Sequence, residues 1–339
     1  MTATSVTPHL ASLLINGILT IKPLANLAKR QARQMMIKRA ESIGIYWTNE
    51  VDVLRSRAWE HDLAQVQKVD LNYPDYYVTS FHAYDEGNLG WEPALEVEVA
   101  AHAAHARIWK DAGAKGDAQL RQSYHDVLKA QLPTTPTAIL DIGCSVGMST
   151  FALQKAFPDA QVTGLDLSPY FLAVAKFRGE AGSRESGVGS RGAEEAGEAG
   201  NLTQNLKLSS AAARSATQNS PIWLHAAAES TGLPDASFDL VSACLLFHEL
   251  PQSAAIAIIR EARRLLRPGG HLAIMDMNPK SEIFAKMPPY VKTLLKSTEP
   301  YLDEYFSLDL EGAIAAAGFT QPTVTFNSPR HRSIVAQRQ

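Results

Sequence analysis

The stretch AILDIGCSVGMST, Ala138 to Thr150, holds the residues most suited to chemistry. An apolar run ends in an acid, Asp141. Gly143 and Gly147 follow four apart, with Cys144 and Ser145 between them. Glycines allow positive φ and close approach of backbone to a ligand, and a helix beginning near Val146–Gly147 aims N–H groups and a positive dipole end at it. A dinucleotide-binding loop would read G-x-G-x-x-G. Here the acid precedes the first glycine, where its carboxylate would meet an amine or fix the loop and would face a pyrophosphate badly. That spacing argues against a nicotinamide-dependent oxidoreductase.

Other residues extend this site. Asp166 closes the strand pattern VTGLDLSPY, 25 residues after Asp141, and an acid there can accept both hydrogen bonds of a ribose diol. FHEL follows a later strand, so His248 is a candidate base and Glu249 a candidate positioning group, or the pair is a structural histidine and a helix-start acid. The segment YYVTSFHAYDEGNLGW mixes flat apolar surfaces with polar handles, as a small-molecule site needs. Tyr77 and His82 are its candidates for chemistry, and Tyr84, Asp85, Asn88 and Trp91 for substrate contact, against the plainer reading of a packed loop. Residues 279–306 can close the other side, with Tyr301 the substrate-facing candidate. No residue is assigned to a metal.

These residues need a sheet to carry them. Strand patterns at 137–142, 161–166, 221–226, 238–245, 271–276, 321–327 and 332–337 alternate with helical ones, which predicts an α/β fold with a mostly parallel sheet. The last two strands are joined by the short turn NSPRH, so one strand runs antiparallel. Residues 178–219 are rich in Gly, Ser, Ala and Glu and cannot bury enough apolar surface to offset ordering entropy, so a disordered insertion is expected there. Upstream, residues 22–44 read as a basic amphipathic helix, packed on the body or docked on an anionic membrane surface. Helical patterns follow at 93–110 and 117–131, and Pro133 and Pro136 end them. The expected division is a helical extension and lid over 1–132 and an α/β domain over 133–339.

Taken together, the loop, Asp166, SFDLV (237–241) and LRPGG (266–270) resemble the class I S-adenosylmethionine-dependent methyltransferases, nearest the small-molecule branch that includes the quinone-biosynthesis enzymes. The resemblance implies a Rossmann-like seven-stranded sheet and S-adenosylmethionine as cofactor. Asp141, Gly143, Cys144, Ser145 and Gly147 would line its methionine part. Asp166 and Leu167 would hold the ribose and flank the adenine, Glu229 would lie near the adenine edge, and Leu245 with Leu246 near the methyl-donor end. Two positions depart from the family pattern. Ser145 replaces the middle glycine of D-x-G-x-G-x-G and is tolerable there if φ is negative. Ala227 stands where an acid usually meets the adenine amino group, a role Glu229 can take. MPPY (287–290) lacks the leading amide or carboxylate of the amino-methylating nucleic-acid enzymes and follows the fifth strand, not the fourth.

Composition sets the outer limits. A chain of 339 residues with formal net charge -3 gives no electrostatic reason to bind nucleic acid. Its two cysteines suggest a reducing, cytoplasmic setting without a disulfide framework. The apolar run Leu10–Ile21 is too short to span a bilayer. The expected function is methyl transfer to a small acceptor of aromatic, quinone-like or lipid-like character. The alternative is a cofactor-binding scaffold that has lost its chemistry.

Overall fold

The structure, a computed structural model, describes residues 22–81, 84–191 and 219–339. Seven strands form one sheet: β1 (Ala138–Ile142), β2 (Gln161–Asp166), β3 (Ile222–His225), β4 (Phe238–Cys244), β5 (Leu266–Met277), β6 (Thr323–Thr325) and β7 (His331–Gln337). Their order is β3-β2-β1-β4-β5-β7-β6. β7 pairs antiparallel with both β5 and β6, and the other pairs are parallel. The expected fold is thus observed, including the single reversed strand. β1, β2 and β4 are apolar and buried along almost their whole length, as strands covered on both faces must be. The strand order reverses between β1 and β4, so a crevice opens outside their C-terminal ends.

Helices cover both faces. One layer comprises α5 (Gly116–Gln131), α6 (Met148–Ala156) and α7 (Pro169–Arg191). Its core joins Leu120, Tyr124 and Leu128 to Ile139, Leu153 and Leu240. The other layer holds α8 (Gln252–Leu265), α11 (Leu302–Ser307) and α12 (Leu310–Ala316), with Ile258, Ile259, Leu310 and Ile314 packed on Leu140, Val241 and Ile274. Short α9 (Glu282–Ala285) and α10 (Pro289–Thr298) connect β5 to α11. MPPY merely opens α10, with Pro289 in its first turn, where a missing N–H is harmless.

The N-terminal helices α1 (Lys22–Ser42), α2 (Trp47–Arg55), α3 (Glu60–Val66) and α4 (Trp91–His105) form a third cluster. Ile37, Trp47, Val51, Trp59, Leu95 and Val99 close on Phe171 and Val174 of α7 and on Val146 of the glycine loop. The extension is therefore bolted to the site it borders. Arg33 of α1 binds the fully buried Glu96 of α4, which also accepts the Tyr84 hydroxyl at 2.6 Å.

One expectation changes. From Arg178 onward the stretch read as disordered continues α7 to Arg191. Ala, Glu and Arg there are good helix formers, and Lys176 pairs with Glu180 one turn on. Residues 192–218 of that stretch, and the run Leu10–Ile21, lie outside the described residues.

Candidate functional site

The glycine loop leaves β1 as expected. Asp141 is fully buried, and its Oδ2 accepts from Ser149 Oγ and Thr150 Oγ1 of α6, both at 2.6 Å. Of the two roles open to this acid, that oxygen fixes the loop. Oδ1 is buried with no hydrogen-bond partner among the described residues. Gly143 and Gly147 have φ of 67° and 84°. Cys144 is buried in the loop, and burial drives its thiol well above the ordinary range.

Ser145 corrects an expectation. Its φ is 51°, positive where a negative value was needed for a comfortable side chain. The strained turn lets its N–H donate to Asp166 Oδ2 at 2.7 Å, while its hydroxyl is buried without a partner. A left-handed non-glycine residue costs on the order of 1 kcal/mol or more. Ser145→Gly should therefore raise stability by up to about 1 kcal/mol despite glycine's looser unfolded state. A drop in the denaturation midpoint would show that the hydroxyl matters to the fold.

Asp166 ends β2 as expected, and its Oδ1 accepts from Ser168 N at 2.8 Å. Leu167 is buried beside it, its carbonyl accepting from His225 Nε2 at 3.0 Å. Burial raises both Asp166 and Asp141 to about 6, against the pull of their hydrogen bonds. A raised carboxyl pKa means the folded chain holds the proton more tightly than the unfolded one. Stability from these two groups is full below pH ~4 and lost as pH rises through about 6. Ligand binding to the Asp166 carboxylate runs the other way. Cofactor affinity should fall up to about tenfold per pH unit below 6, and a titration from pH 7 to 5 that shows flat affinity would remove Asp166 from the contact.

The segment between α3 and α4 lies across Asp166, Glu229 and His225 as a strap. Tyr77 OH reaches Asp166 Oδ1 at 3.5 Å, Tyr76 OH donates to Glu229 Oε1 at 2.9 Å, and Tyr73 OH meets His225 Nε2 at 3.3 Å. Lys68 N donates to His225 Nδ1, and Ser168 Oγ donates to the Asn88 carbonyl. Tyr301 OH contacts the Tyr76 carbonyl at 3.5 Å. Burial first, then the charges of Asp166 and Glu249, raise the Tyr77 hydroxyl well above its usual range. Tyr77, Tyr301, Glu229 and Asp166 thus meet at one place. Tyr84 instead serves the Arg33–Glu96 pair, and Trp91 stacks on Trp59 within the helical cluster. Asn88 is a buried residue of the strap itself, and Asp85 lies in its turn. His82 lies outside the described residues.

On the acceptor side, Leu245 follows β4 with φ 60°, a strained turn that sends Phe247–Glu249 into a single 3₁₀ turn. His248 Nδ1 lies 2.7 Å from Asp276 Oδ1 at the end of β5, and the His248 backbone N–H donates to Oδ2 of the same carboxylate. Both residues are buried, and Tyr305 packs on the imidazole. Burial alone would lower the His248 pKa, but Asp276, with Glu299 and Glu249, holds it up to about 10. Asp276 escaped the sequence reading. Its signal was an acid at the end of HLAIMDM, the place Asp141 and Asp166 hold in their own strands.

The cleft fits S-adenosylmethionine. Asp141 Oδ1, Ser145 Oγ and Glu229 Oε2 are all buried without partners among the described residues, around a carboxylate at the end of β2. An ammonium, a ribose diol and an adenine amino group would supply the missing partners. The methyltransferase domain family matches residues 140–272. The ubiquinone biosynthesis O-methyltransferase of Xanthomonas oryzae pv. oryzae (strain PXO99A) is 28% identical over 190 residues, 56% of this chain and 64% of that protein. The chain thus spans less than two thirds of that relative's length. Its counterpart in Xanthomonas axonopodis pv. citri is 28% identical over 227 residues, 65% of this chain and 79% of that protein. Among solved structures, phosphoethanolamine N-methyltransferase 2 of Haemonchus contortus, in complex with S-adenosyl-L-methionine, aligns with a TM-score of 0.45 at 16% identity, covering 73% of this chain and 59% of that one. Residues 140–272, on this sheet and with these strand-end acids, thus match a methyltransferase domain.

Proposed function

We propose that the protein methylates a hydroxyl oxygen of a small acceptor, aromatic or quinone-like, with His248 and Asp276 removing the proton. The buried His248–Asp276 pair at the C-terminal edge of β4 and β5 carries this reading. Asp166, Glu229, Ser145 and the loop backbone would hold the cofactor. When bound, S-adenosylmethionine supplies a methyl group activated by a positively charged sulfur and leaving a neutral thioether. The chain's own work is to align the acceptor, exclude water and accept a proton. Asp276 holds Nδ1–H, so His248 presents Nε2 to the acceptor O–H. A phenol, with a pKa of about 10, nearly matches an imidazole held up to about 10, so the proton moves with little uphill cost. Tyr77 and Glu249, between the two halves, would orient the acceptor. Incubation with radiolabelled cofactor and a panel of catechols and hydroxyquinols tests the reading. Label in an ether product supports it, and label on nitrogen or carbon overturns it.

The strap favours a second reading, a scaffold that binds the cofactor without turnover, because Tyr77 covers Asp166. Under the enzymatic reading the strap opens and closes. Tyr77→Ala should then raise both association and dissociation rates of S-adenosylhomocysteine by about tenfold with little change in Kd. Unchanged rates in stopped-flow measurements would show that the strap does not gate entry.

The reading takes the protein to be cytoplasmic, with Cys144 and Cys244 both free. No described helix is long and apolar enough to cross a membrane. Helix α1 turns Arg30, Gln34 and Lys38 outward beside Met35, which is 62% exposed, a face suited to an anionic bilayer surface. Sedimentation with anionic vesicles tests that contact.

A further inference from the structure

A groove of ≈ 1270 Å³ runs between α4, α5, α6 and α7. Six of its lining side chains are cationic or imidazole: His102, Arg121, His125, Lys129, Lys155 and Arg178. Two carboxylates stand against them, Glu98 and Asp117. The chain as a whole has 32 Lys and Arg against 35 Asp and Glu, so this excess is local.

Both carboxylates are already committed. Asp117 accepts from Arg121 Nε at 2.8 Å and Nη2 at 3.2 Å, and pairs with His105 Nδ1 at 2.7 Å. Glu98 pairs with Arg178. The rest of the Arg121 guanidinium, only 12% exposed, finds sulfur: Nη1 lies 3.5 Å from Cys244 Sγ and Nη2 3.8 Å from Met148 Sδ. Thiol and thioether sulfurs are weak acceptors, so a buried cation keeps unused donor capacity. His102 Nδ1 is also buried and has no hydrogen-bond partner among the described residues. Burial first, and then the charges of Arg121 and Lys129, hold His125 down to about 4. A guanidinium with free donors is suited to an oxyanion, which it can meet with two parallel hydrogen bonds.

We propose that this groove binds a small polyanion, whose phosphate or carboxylate groups are received by Arg121 and His102 on the inner wall and by Lys129 and Lys155 at the rim. The proposal does not depend on the methyl acceptor. The groove does take Val146 and Met148 from beside the glycine loop, so the test must separate a second site from the amino-acid end of the cofactor cleft.

Inorganic pyrophosphate and citrate, titrated calorimetrically into the full chain at constant ionic strength, with and without saturating S-adenosylhomocysteine, provide that test. The expected result is saturable binding and a rise in Tm of several degrees, both unaffected by S-adenosylhomocysteine. The double variant Lys129→Gln/Lys155→Gln, altered only at exposed positions, should weaken binding about tenfold, and Arg121→Met at least as much. If Arg121→Met does not fold, the double variant decides alone. Binding of pyrophosphate alone narrows the ligand to phosphates, and of citrate alone to carboxylates; either supports the site. Three results overturn it: no binding beyond that of chloride, unchanged affinity in the double variant, or exclusion of the anion by S-adenosylhomocysteine.

Discussion

Asp166→Ala should weaken S-adenosylhomocysteine binding at least about 100-fold, the loss of two hydrogen bonds to a charged group at roughly 1.5–3 kcal/mol each. The carboxylate does more than face the ligand. It accepts from the Ser145 and Ser168 backbone N–H groups, so its removal also releases the glycine loop from the end of β2. Asp166→Asn separates the two effects, because an amide keeps one acceptor oxygen and much of the shape. It should hold the loop better than alanine while still losing most of the affinity. Calorimetric titration of the three proteins checks this, with circular dichroism to confirm folding. Equal Kd for the alanine variant and the parent would remove Asp166 from the site.

His248→Ala should lower kcat about 10²–10⁴-fold while leaving cofactor Kd nearly unchanged, the range for loss of a general base. The pH dependence is the sharper readout. With its pKa held up to about 10, His248 is protonated at neutral pH in the resting protein, so kcat/KM should climb with pH toward that value. Asp276→Asn removes the main partner, and the rising limb should move toward the ordinary histidine range while the maximum rate drops. Stability follows the opposite course. The folded pKa lies above the unfolded one, so the stability from the ion pair is full below pH ~6.5 and lost as pH rises through about 10. Asp276→Asn should flatten that decline. A pH–rate profile identical in Asp276→Asn and the parent would reduce His248 to a structural histidine.

Three strand-end acids divide the site's work, and the sheet order explains the division. β1 sits between β2 and β4, so Asp141 is enclosed on both sides and holds its own helix, while Asp166 opens toward the strap. β5 lies beyond β4, so Asp276 meets the turn that leaves β4 and reaches His248.

Much of this was local enough to read from the sequence. Apolar runs of strand length, the acid before two glycines and the acid ending the next strand each depend on residues within a few positions of one another. Period and turn chemistry therefore determined the seven strands, the reversed β7, the glycine loop and Asp166. Only the tertiary structure decided what depends on distant segments. Asp276 became the partner of His248 because parallel pairing of β4 and β5 aligns their ends, 28 residues apart in sequence. Tyr76 reached Glu229 across 153 positions because the N-terminal helices pack on α7 and lay the strap over the cleft. Ser145, at a positive φ, donates its N–H to the Asp166 carboxylate 21 residues on, a pairing no local pattern carries. Arg121 was left with sulfur acceptors by the packing of α5 against Cys244 and Met148, a contact between side chains far apart in the chain.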